Sequence, residues 1–190
     1  MSRSLIGVVL SIAIAVTAGS LWYLTIRPSI ITPSQTEQNT AELVVLGVRS
    51  RDIENDSLPS SEKLYGLING FRREQKTTPL AIHASLEQSA RAKLNDMIVK
   101  KYWRHGDTDN NPPWRFFTQS GYHYALAGEN LAFGVKSNWD VFLDWQESQT
   151  HREQLLQPEY QHMGVAIECD YYEVYAGQTC LVVLHLGTPL

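Results

Sequence analysis

The sequence predicts an α+β domain preceded by an N-terminal transmembrane helix, and three observations predict it. Residues Leu5 to Ile26 contain no charge. Apolar residues then recur at helical spacing through the middle of the chain. The final stretch changes to two apolar runs that flank Cys169 and Cys180, the only two cysteines. Helices first and strands last in one unit is an α+β order, not an alternation of strand and helix. A chain of 190 residues with 43% apolar composition supports one core. Lys and Arg number 16 against 20 for Asp and Glu, a net charge of −4, and no basic stripe interleaves with aromatics. That charge pattern argues against nucleic acid as a partner.

Residues 1–27 read as the anchor. The uncharged run from Leu5 to Ile26, at about 1.5 Å per residue, spans roughly 33 Å, enough to cross a hydrocarbon core. Trp22 and Tyr23 lie near one end, where amphipathic rings favour the interface. Val16-Thr17-Ala18 also offers the small residues of a signal-peptidase site, so a cleaved signal peptide and a secreted product are the alternative. The apolar sequence continues past that site through Leu21-Trp22-Tyr23-Leu24, longer than an ordinary signal core, which favours an uncleaved anchor. Arg3 and Arg27 flank the run and leave orientation undecided by charge. Residues 28–59 have a tether's composition, with Pro28, Pro33 and Pro59 among Ser, Thr, Gln and Asn. Within the tether, Ala41 to Leu46 is more apolar, a short helix or a strand.

The domain occupies residues 60–190. Leu64, Leu67, Ile68 and Phe71 make one buried helical stripe. Ser85-Leu86-Glu87-Gln88 has the form of a capping box and opens a helix to about Tyr102, with Leu86, Ala90, Leu94 and Met97 inward. Asn111-Pro112 starts a short helix that Gly121 stops. Ser137-Asn138-Trp139-Asp140 starts another, with Trp139, Phe142, Leu143 and Trp145 inward, and Thr150-His151-Arg152-Glu153 has the form of a further capping box. The chain ends in two strands, Val165 to Glu168 and Leu181 to Leu184, around the turn-like Tyr175-Ala176-Gly177-Gln178. Paired antiparallel about the centre of that loop, the strands set Cys169 opposite Cys180, close enough for a disulfide. The alternative is two buried free thiols. A disulfide requires an oxidising compartment, which places the domain outside the cytoplasm. The spacing of the cysteines is not that of zinc ligands.

Five blocks then carry a family resemblance. They are Leu67-Ile68-Asn69-Gly70-Phe71-Arg72 with Pro79-Leu80, Tyr102-Trp103-Arg104-His105, and Gly121-Tyr122 followed by Gly128-Glu129-Asn130-Leu131-Ala132. Trp145-Gln146-Glu147-Ser148-Gln149-Thr150-His151-Arg152 and Tyr160 with Met163-Gly164-Val165-Ala166 complete the set. In this order, over residues 60 to 187, they resemble the CAP superfamily of cysteine-rich secretory proteins, antigen 5 and pathogenesis-related 1 proteins, in its bacterial single-domain branch. The resemblance implies a three-layer α-β-α sandwich with an antiparallel sheet. It also implies a cleft lined by two histidines and two acidic residues. His105, Glu129 and His151 match the first histidine, the first glutamate and the second histidine. The second glutamate is replaced by Ser148, and Glu147 lies one residue away, roughly 100° around a helix.

Two imidazoles and a carboxylate suit zinc or another divalent metal, with water completing the shell, so His105, His151 and Glu129 are the candidate metal ligands. Glu129 has a second reading, as an acceptor of backbone hydrogen bonds at a Gly128–Asn130 corner. His83, His123, His162 and His185 read as surface or hydrogen-bonded residues, and Trp139, Phe142 and Trp145 as core. Two functions follow. One is an extracytoplasmic, membrane-anchored binding module whose cleft takes a lipid, glycan or protein. The other is a hydrolase using His105, Glu129 and His151, with a metal-activated water or with Ser148 paired to His151. Neither a His-Glu-x-x-His helix nor a Gly-x-Ser-x-Gly elbow is present, which favours the binding module.

Overall fold

The structure of the protein, a computed structural model, describes residues 58–172 and 177–190. The first helix, α1 (Ser61–Glu74), begins where the Ser60 side chain accepts from the Lys63 amide, while the Ser60 amide donates to Asn138 Oδ1 at 2.8 Å. Its predicted stripe holds: Leu64, Ile68 and Phe71 are buried, and Leu67 packs half-buried beside them. Arg72, also buried, donates to the carbonyls of Thr78 and Leu155 at 2.7 and 2.6 Å. It thereby ties the end of α1 to distant chain.

A two-residue strand, β1 (Ala81–Ile82), leads into α2 (Ala84–Lys100). The cap of α2 is His83, whose Nδ1 accepts from the Ser85 amide at 3.2 Å, in place of the capping box predicted at Ser85. The chain is still extended at His83 because β1 is hydrogen-bonded to the sheet up to that residue, so Ser85 already lies inside the helix. The short α3 (Trp114–Gln119) starts after Pro113. Asn111 is held back from it by Asp107, which accepts from the Asn111 amide and side chain. Gly121 follows α3 at φ +76°, the left-handed turn that ends it. Ser137 caps α4 (Asn138–Glu147) as predicted, accepting from the Asp140 amide at 3.0 Å. The capping box at Thr150 does not form. Here α5 (Gln149–Leu156) begins at the kink on Ser148, and Glu153 accepts from the Gln149 side chain instead.

Three long strands complete the fold: β2 (Tyr124–Val135), β3 (His162–Tyr172) and β4 (Gly177–Pro189). Their order is β1-β3-β4-β2, with β4 antiparallel to both β3 and β2. The sheet is mixed, not purely antiparallel as expected, because β1 runs parallel to β3. The Ala81 and His83 amides donate to the Gln161 and Met163 carbonyls, which fixes that direction. Neither β1 nor β2 is marked in the sequence by clear alternation.

Side chains alternate across β4. Leu181 and Val183 pack under Ala90, Leu94 and Met97 of α2. Val182, Leu184 and Leu186 face α1, α4 and α5 through Leu64, Phe142, Trp145 and Leu155. Period-two alternation thus gives the sheet two buried faces and the domain three layers. Cys169 and Cys180 are register partners on β3 and β4 and form the expected disulfide, with Cα atoms 4.0 Å apart. Among the described residues no helix is long and apolar enough to cross a membrane. The predicted transmembrane helix over residues 5–26, and the tether segment 41–46, lie outside the described residues.

Candidate functional site

In the sheet order β2 is the edge strand opposite β1, and its Gly128-Glu129-Asn130 segment organises a cleft. Successive strand residues point to opposite faces, so Glu129 and Asn130 reach different layers. Glu129 turns to the α2 side. Its Oε1 accepts from His105 Nδ1 at 2.7 Å and its Oε2 from His185 Nε2 at 3.0 Å. Asn130 turns the other way and donates from Nδ2 to the His151 carbonyl on α5 at 3.0 Å. One strand edge thereby gathers a histidine from each helical layer. The resulting open cleft, roughly 310 Å³, is lined by His105, Glu129, Asn130, His151, Thr150 and Gln154, with Pro112, Pro113 and Trp114 as an apolar wall.

Gly128 is required by close approach. A Cβ there would run into Tyr160 Oη and Gln154 Oε1, which are hydrogen-bonded to each other. A side chain at 128 would have to displace these two side-chain ends and break the bond between them.

The segment that carries His105 is pinned from below. Buried Lys93 of α2 donates to the Arg104 and His105 carbonyls at 2.8 and 2.7 Å. Farther along, Asp107 accepts from the amides of Asp109 and Asn111 and pairs with Arg115 at 3.3 Å. The Asn111 side-chain bond, with these amides and Arg115, outweighs desolvation and holds the Asp107 carboxyl down at about 2.

The electrostatics follow from these contacts. Burial alone would raise the pKa of Glu129, but hydrogen bonds from His105 and His185 and the charge of Lys93 outweigh it and carry it below the usual carboxylate range. Glu129 is therefore a charged acceptor. Burial pushes His185 down, so this fully buried imidazole is neutral, and its Nδ1 meets Ser89 Oγ at 2.8 Å. Burial, with a smaller contribution from the charge of His105, also pushes His151 down. His151 Nδ1 and Asn130 Oδ1 are both buried without a hydrogen-bond partner among the described residues.

The structure thus brings His105, Glu129 and His151 together. It leaves Ser148 apart: its hydroxyl meets Thr150 Oγ1 at 3.2 Å, and it caps α5 outside the cleft lining. Glu129 lies within a strand, not at a corner, and accepts from two imidazoles in place of backbone donors. Among the described residues no group of three or more His, Cys, Asp or Glu side chains is placed to hold a metal ion. Both oxygens of Glu129 are already engaged.

Sequence reasoning missed Ser89, Lys93 and His185. A signal existed. Ser89 and Lys93 fall at i+3 and i+7 from Leu86, on the face that Leu86, Ala90, Leu94 and Met97 bury. His185 interrupts the apolar run Leu181 to Leu186. A polar side chain at a core position must have a partner.

Comparison with known proteins agrees with this architecture. The model of the cysteine-rich secretory protein family, CAP, matches residues 65–184. Over 134 residues the chain is 35% identical to the uncharacterized protein YkwD of Bacillus subtilis, covering 68% of this chain and 52% of that one. The chain thus spans about half the length of this relative. Among solved structures, an extracellular SCP-domain protein of Bacillus anthracis is 20% identical with a TM-score of 0.57, covering 67% of this chain and 40% of that one. An outer surface protein of Borrelia burgdorferi is 19% identical with a TM-score of 0.58, covering 71% of this chain and 99% of that one. At such identities the structures speak for the fold alone. The family match runs from Tyr65 on α1 to Leu184 on β4 and takes in both cleft histidines and Glu129, so the chain belongs to the CAP family of cysteine-rich secretory proteins.

Proposed function

We propose that this protein is a membrane-anchored, extracytoplasmic binding module whose cleft takes a glycan. The observation that carries this reading is the cleft lining: hydrogen-bonding groups at His105, His151, Thr150 and Gln154 beside the partly exposed indole of Trp114. A sugar ring offers an apolar face to an aromatic wall and hydroxyls to polar groups. A lipid chain calls for a deeper apolar cavity, and a protein partner for a larger surface. Buried, unpaired Asn130 Oδ1 and His151 Nδ1 add support, since such atoms call for a water or a ligand group. The disulfide supports an oxidising compartment.

The test uses the full-length chain in detergent with N-acetylglucosamine oligosaccharides as probes, read by saturation-transfer NMR. Binding should be lost in the His105→Ala/His151→Ala double variant. Undiminished binding in that variant places the ligand elsewhere, and cleavage of the probe by the wild type turns the reading to a hydrolase. Anchoring through residues 5–26 predicts that the chain stays with membranes at high salt and is released by detergent. A mature N-terminus at Gly19 would make the protein secreted.

The hydrolase alternative is weakened in its serine form, because Ser148 is bonded to Thr150. In its metal-assisted form, His105 and His151 are the residues that would hold zinc or another divalent ion with water, and Glu129 would orient His105. Two imidazoles suit such an ion as an exchangeable ligand set. When bound, the ion would polarise a ligand oxygen. Calorimetric titration with zinc chloride tests this, and binding that survives the double variant removes it.

A further inference from the structure

His105 is exposed at the cleft, with 57% of its side chain open to solvent, yet its orientation traces to buried residues. Ser89 and His185 are fully buried, and Glu129 is 6% exposed. The four groups form one chain of hydrogen bonds: Ser89 Oγ to His185 Nδ1 at 2.8 Å, His185 Nε2 to Glu129 Oε2 at 3.0 Å, and Glu129 Oε1 to His105 Nδ1 at 2.7 Å. Its order, serine to histidine to glutamate, is that of a nucleophilic triad. Ser89 is on the buried face of α2 with no exposure, so no substrate reaches it, and the chain has a different use.

The protons along it can be assigned. An ionised carboxylate only accepts. Each imidazole therefore puts a hydrogen toward Glu129, on Nε2 of His185 and on Nδ1 of His105. Neutral His185 then has its lone pair on Nδ1, which the Ser89 hydroxyl fills as donor. Neutral His105 has its lone pair on Nε2, the nitrogen away from Glu129. Phe117 stacks on His185 at 4.4 Å between ring centroids and keeps that ring from turning.

We propose that Ser89 and His185 are positioning residues that hold the Glu129 carboxylate so as to lock His105 in the Nδ1–H tautomer, with Nε2 offered to the cleft as an acceptor. The ligand must then bring a hydrogen-bond donor, a sugar hydroxyl being one, or a cation to that atom. This consequence rests on the binding-cleft reading; the lock itself does not. A histidine in water exchanges freely between tautomers, whereas a charge-assisted bond to one nitrogen selects one form.

The experiment is ¹⁵N NMR of the imidazoles in ligand-free, full-length protein at about pH 8.5, above the ordinary imidazole range. The long-range nitrogen shifts report which ring nitrogen carries the proton. In wild type, His105 should favour Nδ1–H by about tenfold or more. Glu129→Ala should release it, and His185→Phe, which keeps a ring against Phe117, should cut the preference severalfold. Ser89→Ala should act more weakly in the same direction, and it is the fallback if the His185 variant does not fold. A wild-type His105 with Nε2–H, or with a free mixture, overturns the lock. A preference unchanged in both the His185 and the Ser89 variants overturns their part in it. Because no ligand is added, these outcomes are separate from success or failure of glycan binding.

Discussion

At the scale of single residues, Glu129 carries two duties that conventional reasoning about surface carboxylates would separate. It closes hydrogen bonds to His105 and His185, and it is the negative charge that offsets buried Lys93. Glu129→Ala leaves a buried imidazole donor unpaired and should lower stability by about 2–3 kcal/mol, read as a shift of the denaturant midpoint. Glu129→Gln keeps the volume and one acceptor and should fall between wild type and alanine. A Glu129→Ala midpoint equal to wild type would mean the network is ornamental. The motif-bearing residues His105, Glu129 and His151 were legible because the blocks around them come in family order. Ser89, Lys93 and His185 were not. Ser89 and His185 meet across 96 positions, and although Lys93 bonds only 11 and 12 positions on, to the Arg104 and His105 carbonyls, those acceptors belong to the backbone, so no side-chain pattern records either pairing.

At the scale of elements, stripes were easier to read than ends. The buried faces of α1, α2 and α4 follow from apolar spacing alone, whereas three of the four start signals, at Ser85, Asn111 and Thr150, fell away from the observed caps and only Ser137 held. For α2 the reason is the strand before it, which delivers the chain extended as far as His83. His83→Ala should therefore cost about 0.5–2 kcal/mol of stability, while Ser85→Ala should change it by far less. Thermal melts of the two variants decide which residue is the cap, and the reverse ranking would restore Ser85. The disulfide is a second element-scale feature, and its register was readable because only one centre for the hairpin sets the cysteines opposite each other. Replacing both cysteines by serine should cost about 3 kcal/mol at most, since the bond closes a short loop. His185 lies five residues from Cys180 along β4, about 17 Å, so the cleft should survive the loss. Retained ¹⁵N shifts for His105 in the double serine variant check this. Collapse of those signals would show that the far end of the hairpin supports the site.

At the scale of the whole molecule, the layers close over the sheet edge with groups whose protonation is set against acid. Asp107 is held at about 2, and Asp96 and Glu129 also lie below the ordinary carboxylate range. A carboxylate depressed in the folded state contributes stability that is complete above its unfolded pKa, near 4, and is lost as pH falls toward its folded value. Burial also depresses His151, His162 and His185. For a base the linkage has the same sign. Below about pH 6.5 the unfolded chain takes up protons that these folded imidazoles resist, so the folded state loses ground. Asp144, raised by partial burial and by Asp140 and Glu147, opposes the trend, but it is a single group on α4. The balance predicts two stages. Stability should be level from about pH 8 to 7, decline through the histidine range below about 6.5, and fall again below about 4 as the carboxylates under the cleft are protonated. His185→Phe should flatten the first stage, because it removes the one imidazole of the three with no exposure. Denaturant midpoints of full-length protein, wild type and variant, measured at unit steps from pH 8 to 3 supply the comparison. A wild-type profile flat between pH 7 and 5 would mean that the buried histidines take up protons in place, and that the chain from Ser89 to His105 yields to them without unfolding.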